Sequence, residues 1–215
     1  MKFKYLLILI LNLSWSQSSD DCINNLSIFA EYYKVKNYDS AYEPWMKVRQ
    51  ECPKINAAIY SYGKRMLDHF IKTSDGEQKI TYQNDLIKLY DEWLVNFPEL
   101  RGRKIIGEII SNKAQAMLDN KFASKSEIYK VFDEAYNQDR SSFDDPKPLY
   151  NYFKTYYELY KSNIDGVTIS SVFNKYEDIS ERFEEVIDGY SKQLDVILKK
   201  EESGQTLSSR EKSNK

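Results

Sequence analysis

Apolar residues three and four positions apart, in a chain with few residues that break a helix, constrain this sequence most. Leu149, Tyr152, Phe153, Tyr156, Tyr157 and Tyr160 make one such stripe, and Tyr176, Ile179, Phe183, Ile187, Tyr190, Leu194 and Ile197 make another. This spacing gathers side chains on one face of an α-helix, whereas a half-buried strand would alternate. Only 7 Gly and 5 Pro occur in 215 residues, too few for an all-β fold, which needs a turn about every ten residues. Aromatic side chains make up 14% of the chain, so the faces that meet between helices carry large rings. The expected class is all-α.

The first residues read as an address. Lys2 and Lys4 precede an apolar stretch from Leu6 to Leu13, and Ser14-Trp15-Ser16 forms a small-x-small site before Gln17. This is the pattern of a cleaved signal peptide over 1–16. A membrane anchor is the alternative, but the apolar run falls far short of the ~20 residues that span a bilayer. No stable membrane span is expected after cleavage, and an exported chain at the periplasm or cell envelope follows. The formal charge is -2, with 31 Lys and Arg dispersed among 33 Asp and Glu. Without a basic run there is no field to gather a polyanion, so no nucleic-acid partner is expected.

Export changes how Cys22 and Cys52 are read. In an oxidising compartment a lone pair points to a disulfide rather than a metal site. If 22–36 and 39–52 form two antiparallel helices joined at Asn37-Tyr38, the start of the first lies beside the end of the second. Such a bridge would close a loop of about 30 residues, worth roughly 3.5 kcal/mol on the chain-entropy account.

One stretch is more specific. Tyr32, Tyr33, the turn Lys36-Asn37-Tyr38-Asp39, then Ala41, Trp45, Val48 and Pro53 stand in the order aromatic, polar turn, Ala, aromatic, small apolar, Pro. This resembles a tetratricopeptide repeat. In such a repeat Ala41 lets the two helices approach, Tyr32 and Trp45 fill the gap between them, and Pro53 stops the second helix. Pro44 departs from the pattern and is expected to kink the second helix or confine its regular part to later turns. A second unit over 56–98 carries Ile59, Tyr62, Gly63 and Met66 on its first helix and Leu86, Tyr90, Trp93 and Pro98 on its second. Its turn is expected to be about eleven residues longer than in a standard repeat. A fainter third unit covers 101–140, through Lys104, Ile106, Gly107 and Ile110, then Ile128, Phe132 and Ala135.

The last pair, 143–201, is helical by pattern alone, and the resemblance therefore implies an antiparallel helix-pair solenoid of about four pairs over 17–201, ending in a long helix. From Val167 to about Glu201 that helix would reach roughly 50 Å, about twice its partner. Its second half therefore lacks a cover within the chain, and a homo-oligomer formed through 176–198 is one expectation. The polar tail 202–215 is expected to be disordered.

Catalytic chemistry has little to stand on. His69, the one histidine, sits beside Phe70 and Leu67 and reads as a packed or surface residue. Ligand spacings for a metal are missing, Gly102 and Gly107 form no phosphate loop, and Asp144-Asp145 reads as a turn or helix start. No enzyme, cofactor or metal is expected, although the Trp and Tyr content would suit a carbohydrate-active enzyme if it had a carboxylate pair of recognisable context. Binding is the positive expectation. In tetratricopeptide proteins the first helices of the repeats line a concave groove, and the matching outward positions are Tyr33, Lys34, Tyr60, Lys64, Asn112 and Lys113. The resemblance thus implies an exported adaptor or scaffold for a protein or peptide partner, with a self-associating structural subunit of the envelope as the alternative.

Overall fold

The structure, a computed structural model, describes residues 20–214, so the expected signal peptide over 1–16 lies outside the described residues. Among the described residues the chain is all-helical apart from one small ribbon, and it divides after Arg103 into two compact units. No helix among the described residues is long and apolar enough to cross a membrane.

The first unit contains α1 (20–34), α2 (Tyr38–Glu51), α3 (Ala58–Thr73) and α4 (Gly76–Asn96). Lys36 takes a positive φ of 60° and ends α1, with the Lys36 and Asn37 amides donating back to the carbonyls of Tyr33 and Tyr32, each at 3.0 Å. Asn37 then caps α2 by accepting from the Ser40 amide. Cys22 near the start of α1 is bonded to Cys52 at the end of α2, their Cα atoms 6.2 Å apart. The helical hairpin expected over 22–52 is therefore present and cross-linked.

The centre of this unit is Trp45, 0% exposed, whose indole N–H donates to the Ile59 carbonyl at 2.8 Å. A Cβ at position 63 would lie 2.5 Å from Trp45 Cζ2. Gly63 is thus the notch that lets α3 approach the ring, which outweighs the ~1 kcal/mol by which helix propensity disfavours glycine. Arg49, one turn along α2, holds its guanidinium 5.0 Å from the Trp45 ring and pairs with Asp85 at 2.8 Å and Glu92 at 2.6 Å, both on α4. These contacts tie α2 to two other helices.

Two expectations need correcting here. The additional residues of the second repeat, 56–98, form no long turn: α4 begins at Gly76, directly after Ser74-Asp75, and runs for 21 residues. Tyr82 anchors the added turns, stacking on Phe70 at 5.0 Å and meeting Tyr42 edge-on. Pro44 does not confine α2 to its later turns, because the helix runs from Tyr38 to Glu51 with Pro44 inside it. A two-strand ribbon, Glu99–Leu100 with Arg103–Lys104, follows α4. Arg101 (φ 54°) and Gly102 (φ 78°) make its turn, two successive positive values that suit a tight hairpin.

The second unit contains α5 (Ile106–Asp119), α6 (Lys125–Asp139), a 3-10 turn (Arg140–Ser142), α7 (Pro146–Lys161), α8 (Ile169–Glu202) and α9 (Ser209–Asn214). Each start has a local cause. Ser124 and Glu127 form a capping box for α6, Thr168 and Ser171 do so for α8, and Asp145 caps α7 with Pro146 at the first helical position. Phe132, Phe143, Leu149 and Tyr152 are fully buried between α6, α7 and the 3-10 turn. At α8 the tail differs from expectation: Leu207 is buried, Lys200 pairs with Glu211 at 2.5 Å, and α9 forms. Ile197 near the end of α8 is buried as well.

Gly63→Ala tests the notch. Overpacking costs about 1–3 kcal/mol against the ~1 kcal/mol that propensity returns, so the variant should be less stable by up to about 2 kcal/mol. Trp45 and Trp93 both lie in the first unit, so a lower urea midpoint of tryptophan fluorescence is the expected result. A raised midpoint would show that propensity, not the notch, decides.

Candidate protein-binding face

Two clusters of polar and aromatic side chains stand out, one closed and one open. The closed one belongs to the second unit. Lys175 on α8 donates to the Tyr152 hydroxyl at 2.8 Å and to Asp133 Oδ1 at 3.3 Å, with its ammonium 4.9 Å from the Tyr152 ring, 5.8 Å from Tyr156 and 6.0 Å from Tyr129. Tyr129 donates to the same carboxylate at 3.1 Å and Tyr152 donates to it as well. Three rings and a carboxylate could hold a foreign ammonium, but here the lysine of the chain itself fills the place. Burial pushes the Tyr152 and Tyr129 hydroxyls far above their ordinary range. Burial also disfavours charge on Asp133, yet hydrogen bonds from Tyr152 and Lys175 outweigh it and hold the carboxyl below its ordinary value.

The open cluster lies in the first unit, on α1, α3 and the start of α2. Tyr33 and Tyr62 stack with centroids 4.0 Å apart and planes 3° from parallel. Phe29, fully buried, supports both rings at 6.2 Å. Arg65 donates to the Tyr33 hydroxyl at 3.2 Å, and Tyr38 joins at 5.8 Å from Tyr33 while meeting exposed His69 edge-on at 5.0 Å. Among the described residues Arg65 pairs with no carboxylate, and its guanidinium is held at the surface by the Tyr33 hydroxyl.

Of the residues singled out from sequence, Tyr33 stands in this cluster. Lys34 lies next to it, paired with Glu31 at 3.0 Å, and Lys64 adjoins it, paired with Asp68 at 2.8 Å. Those intrahelical pairs already compensate both lysines. Tyr60 is corrected: it is 0% exposed, stacks on Trp93 at 6.0 Å, and donates its hydroxyl to the Pro53 carbonyl at 3.0 Å. Desolvation raises that phenol to about 12, as befits a core residue. Asn112 and Lys113 belong to the second unit on α5, where the Asn112 amide donates to the Glu108 carbonyl of its own helix at 2.8 Å. Tyr62, Arg65 and His69 were not singled out for binding. Their signal was helical phase: they follow one another by three and four along the flank of the buried stripe Ile59, Gly63, Met66, Phe70.

Among the described residues no group of His, Cys, Asp and Glu is placed to hold a metal ion. Comparison with protein-family models, with curated proteins and with solved structures returns no match. What the fold defines is an all-helical, disulfide-bonded protein.

The closed cluster predicts acid sensitivity. Asp133 has a folded pKa below its unfolded one, so its stabilisation is complete above the unfolded value, about 4, and is lost as pH falls through the folded value. Asp133→Asn should flatten the loss of helix signal below pH about 4, measured by acid titration under mild denaturant. An unchanged acid profile would remove Asp133 from the account.

Proposed function

We propose that this chain is an exported adaptor of tetratricopeptide type that holds a protein or peptide partner against the face formed by α1 and α3. The observation carrying the reading is the Tyr33–Tyr62 stack beside Arg65. Rigid Tyr rings offer contact area at low entropic cost, and Arg is the cation most enriched at interfaces. A guanidinium that has a phenol but no carboxylate among the described residues suits a partner that brings a carboxylate, from an acidic side chain or a chain terminus. The Cys22–Cys52 bond is compatible with an oxidising compartment and so with export. The helix pair over 22–52, with its tetratricopeptide-like residue order, supports the repeat reading, in which the first helices of successive pairs line the binding groove.

The test uses the exported chain as bait in envelope extract beside two variants. Arg65→Glu with Tyr62→Ala should lose the captured partner by tenfold or more, about the 1.4 kcal/mol or greater that hot-spot residues carry. Lys34→Ala with Lys64→Ala should keep most of it, because both lysines are already compensated. Equal capture by the first variant, with its helix content intact, would place binding elsewhere.

A further inference from the structure

One face of α7 is covered by its own unit: Leu149, Tyr152 and Leu159 are fully buried. Another carries two chemistries in alternation. Lys147, Tyr150, Lys154, Tyr157 and Lys161 follow one another in steps of three and four, which aligns them along one side of the helix, and all five are exposed. Tyr150 is 56% exposed and Tyr157 42%. Each ring has an ammonium one turn further on, Lys154 at 6.0 Å from the Tyr150 centroid and Lys161 at 5.7 Å from that of Tyr157. These separations are at the outer limit of about 6 Å for a cation over a ring, so the contact is weak and the ligand that displaces it loses little. Tyr157 also meets Phe153 and Tyr160 of its own helix at 6.4 Å and 6.3 Å, neighbours that support the ring and leave it exposed.

The charges on this stripe divide into met and unmet. Lys147 is paired with Asp119 at 2.8 Å, and Glu158, the one carboxylate on α7, is taken by Lys125 at 2.8 Å. Among the described residues Lys154 and Lys161 have a ring beside them and no carboxylate. The two units of ring and ammonium stand seven residues apart, about 10 Å along the axis.

That repeat selects the ligand. An extended peptide presents the same face every two residues, about 7 Å, and so falls out of step with the rings. A partner helix would have to bury lysines, which the cores of interfaces exclude. In a chain of β-1,4-linked pyranoses every second ring presents the same face, and two linked rings have about the length of two turns of helix. The C–H groups on the face of a pyranose carry positive partial charge and meet the negative face of a tyrosine ring, while the phenol hydroxyl exchanges hydrogen bonds with sugar hydroxyls. Two ammonium groups without a carboxylate then call for an acidic sugar.

We infer that this stripe of α7 binds an acidic polysaccharide, a chain of β-1,4-linked pyranoses bearing carboxylates, with Tyr150 and Tyr157 each stacked on a sugar ring and Lys154 and Lys161 each paired with a carboxylate. The stripe lies wholly on the second unit and does not depend on the α1–α3 face having a partner.

The test is calorimetric titration of the exported chain with a hexamer of β-1,4-linked mannuronate. Saturable binding is expected, weakened tenfold or more in Lys154→Ala with Lys161→Ala and in Tyr150→Ala with Tyr157→Ala, each with its helix signal retained because the four side chains are exposed. Lys88→Ala with Lys192→Ala, which removes the same charge elsewhere, should bind as the parent does, and the uncharged glucose hexamer of the same linkage should bind at least tenfold more weakly. No binding of the mannuronate hexamer overturns the inference, as does an equal loss in the Lys88 and Lys192 variant. Polyglutamate bound as tightly as the hexamer, and lost with Lys154 and Lys161, overturns it too, because the stripe would then be a site for an acidic peptide.

Discussion

The first unit rests on the approach of Trp45 to the bare backbone at Gly63. An indole is the largest side chain a core can take, and it leaves water only where the opposite helix offers no Cβ. The same ring donates to the Ile59 carbonyl and lies under the Arg49 guanidinium. Arg49 in turn gathers Asp85 and Glu92 from α4. One contact between rings and backbone thus sets the spacing of α2 and α3, and through Arg49 it sets the place of α4. The disulfide acts on a different link, fixing α1 to α2 at their far ends and raising stability mostly by restricting the unfolded chain.

With the inner faces settled, what remains outside α1 and α3 is a consequence. Tyr33 and Tyr62, half-buried beside Phe29, stack on each other at the surface. The second unit handles the same surplus differently. Tyr129, Tyr152 and Tyr156 enclose Lys175, and the carboxylate of Asp133 completes the enclosure. The cluster of the second unit is filled by its own lysine, whereas Arg65, held to the Tyr33 hydroxyl, pairs with no carboxylate among the described residues.

Much of this was legible in the sequence, for reasons that can be named. Spacings of three and four identified the helices, and Asn37, Pro53, Asp145 and the Gly63 notch were readable because each has one local job. The Cys22–Cys52 bond followed from the hairpin. Less legible was anything that depends on phase to within one residue. Tyr60 and Tyr62 differ by two positions on α3, yet one is core and the other surface, because the buried stripe turns by 100° per residue and the repeat pattern alone does not say where its edge falls. The added turns of α4 were hidden for a related reason: Tyr82 finds Phe70 and Tyr42 only in three dimensions. Leu207 gave too small a signal, one apolar residue in a polar tail, to announce that the tail folds back.

The claim that the α1–α3 face meets another protein is open to one direct measurement in the cell. A photo-reactive phenylalanine placed at His69, at the rim of the Tyr33–Tyr62–Arg65 cluster, should on irradiation join the chain to a partner of distinct mass. The same group at Lys88, a solvent-exposed position on α4, should give no such product. A partner joined from position 69 alone is the result the account predicts; equal yields from both positions, or none from 69, would contradict it.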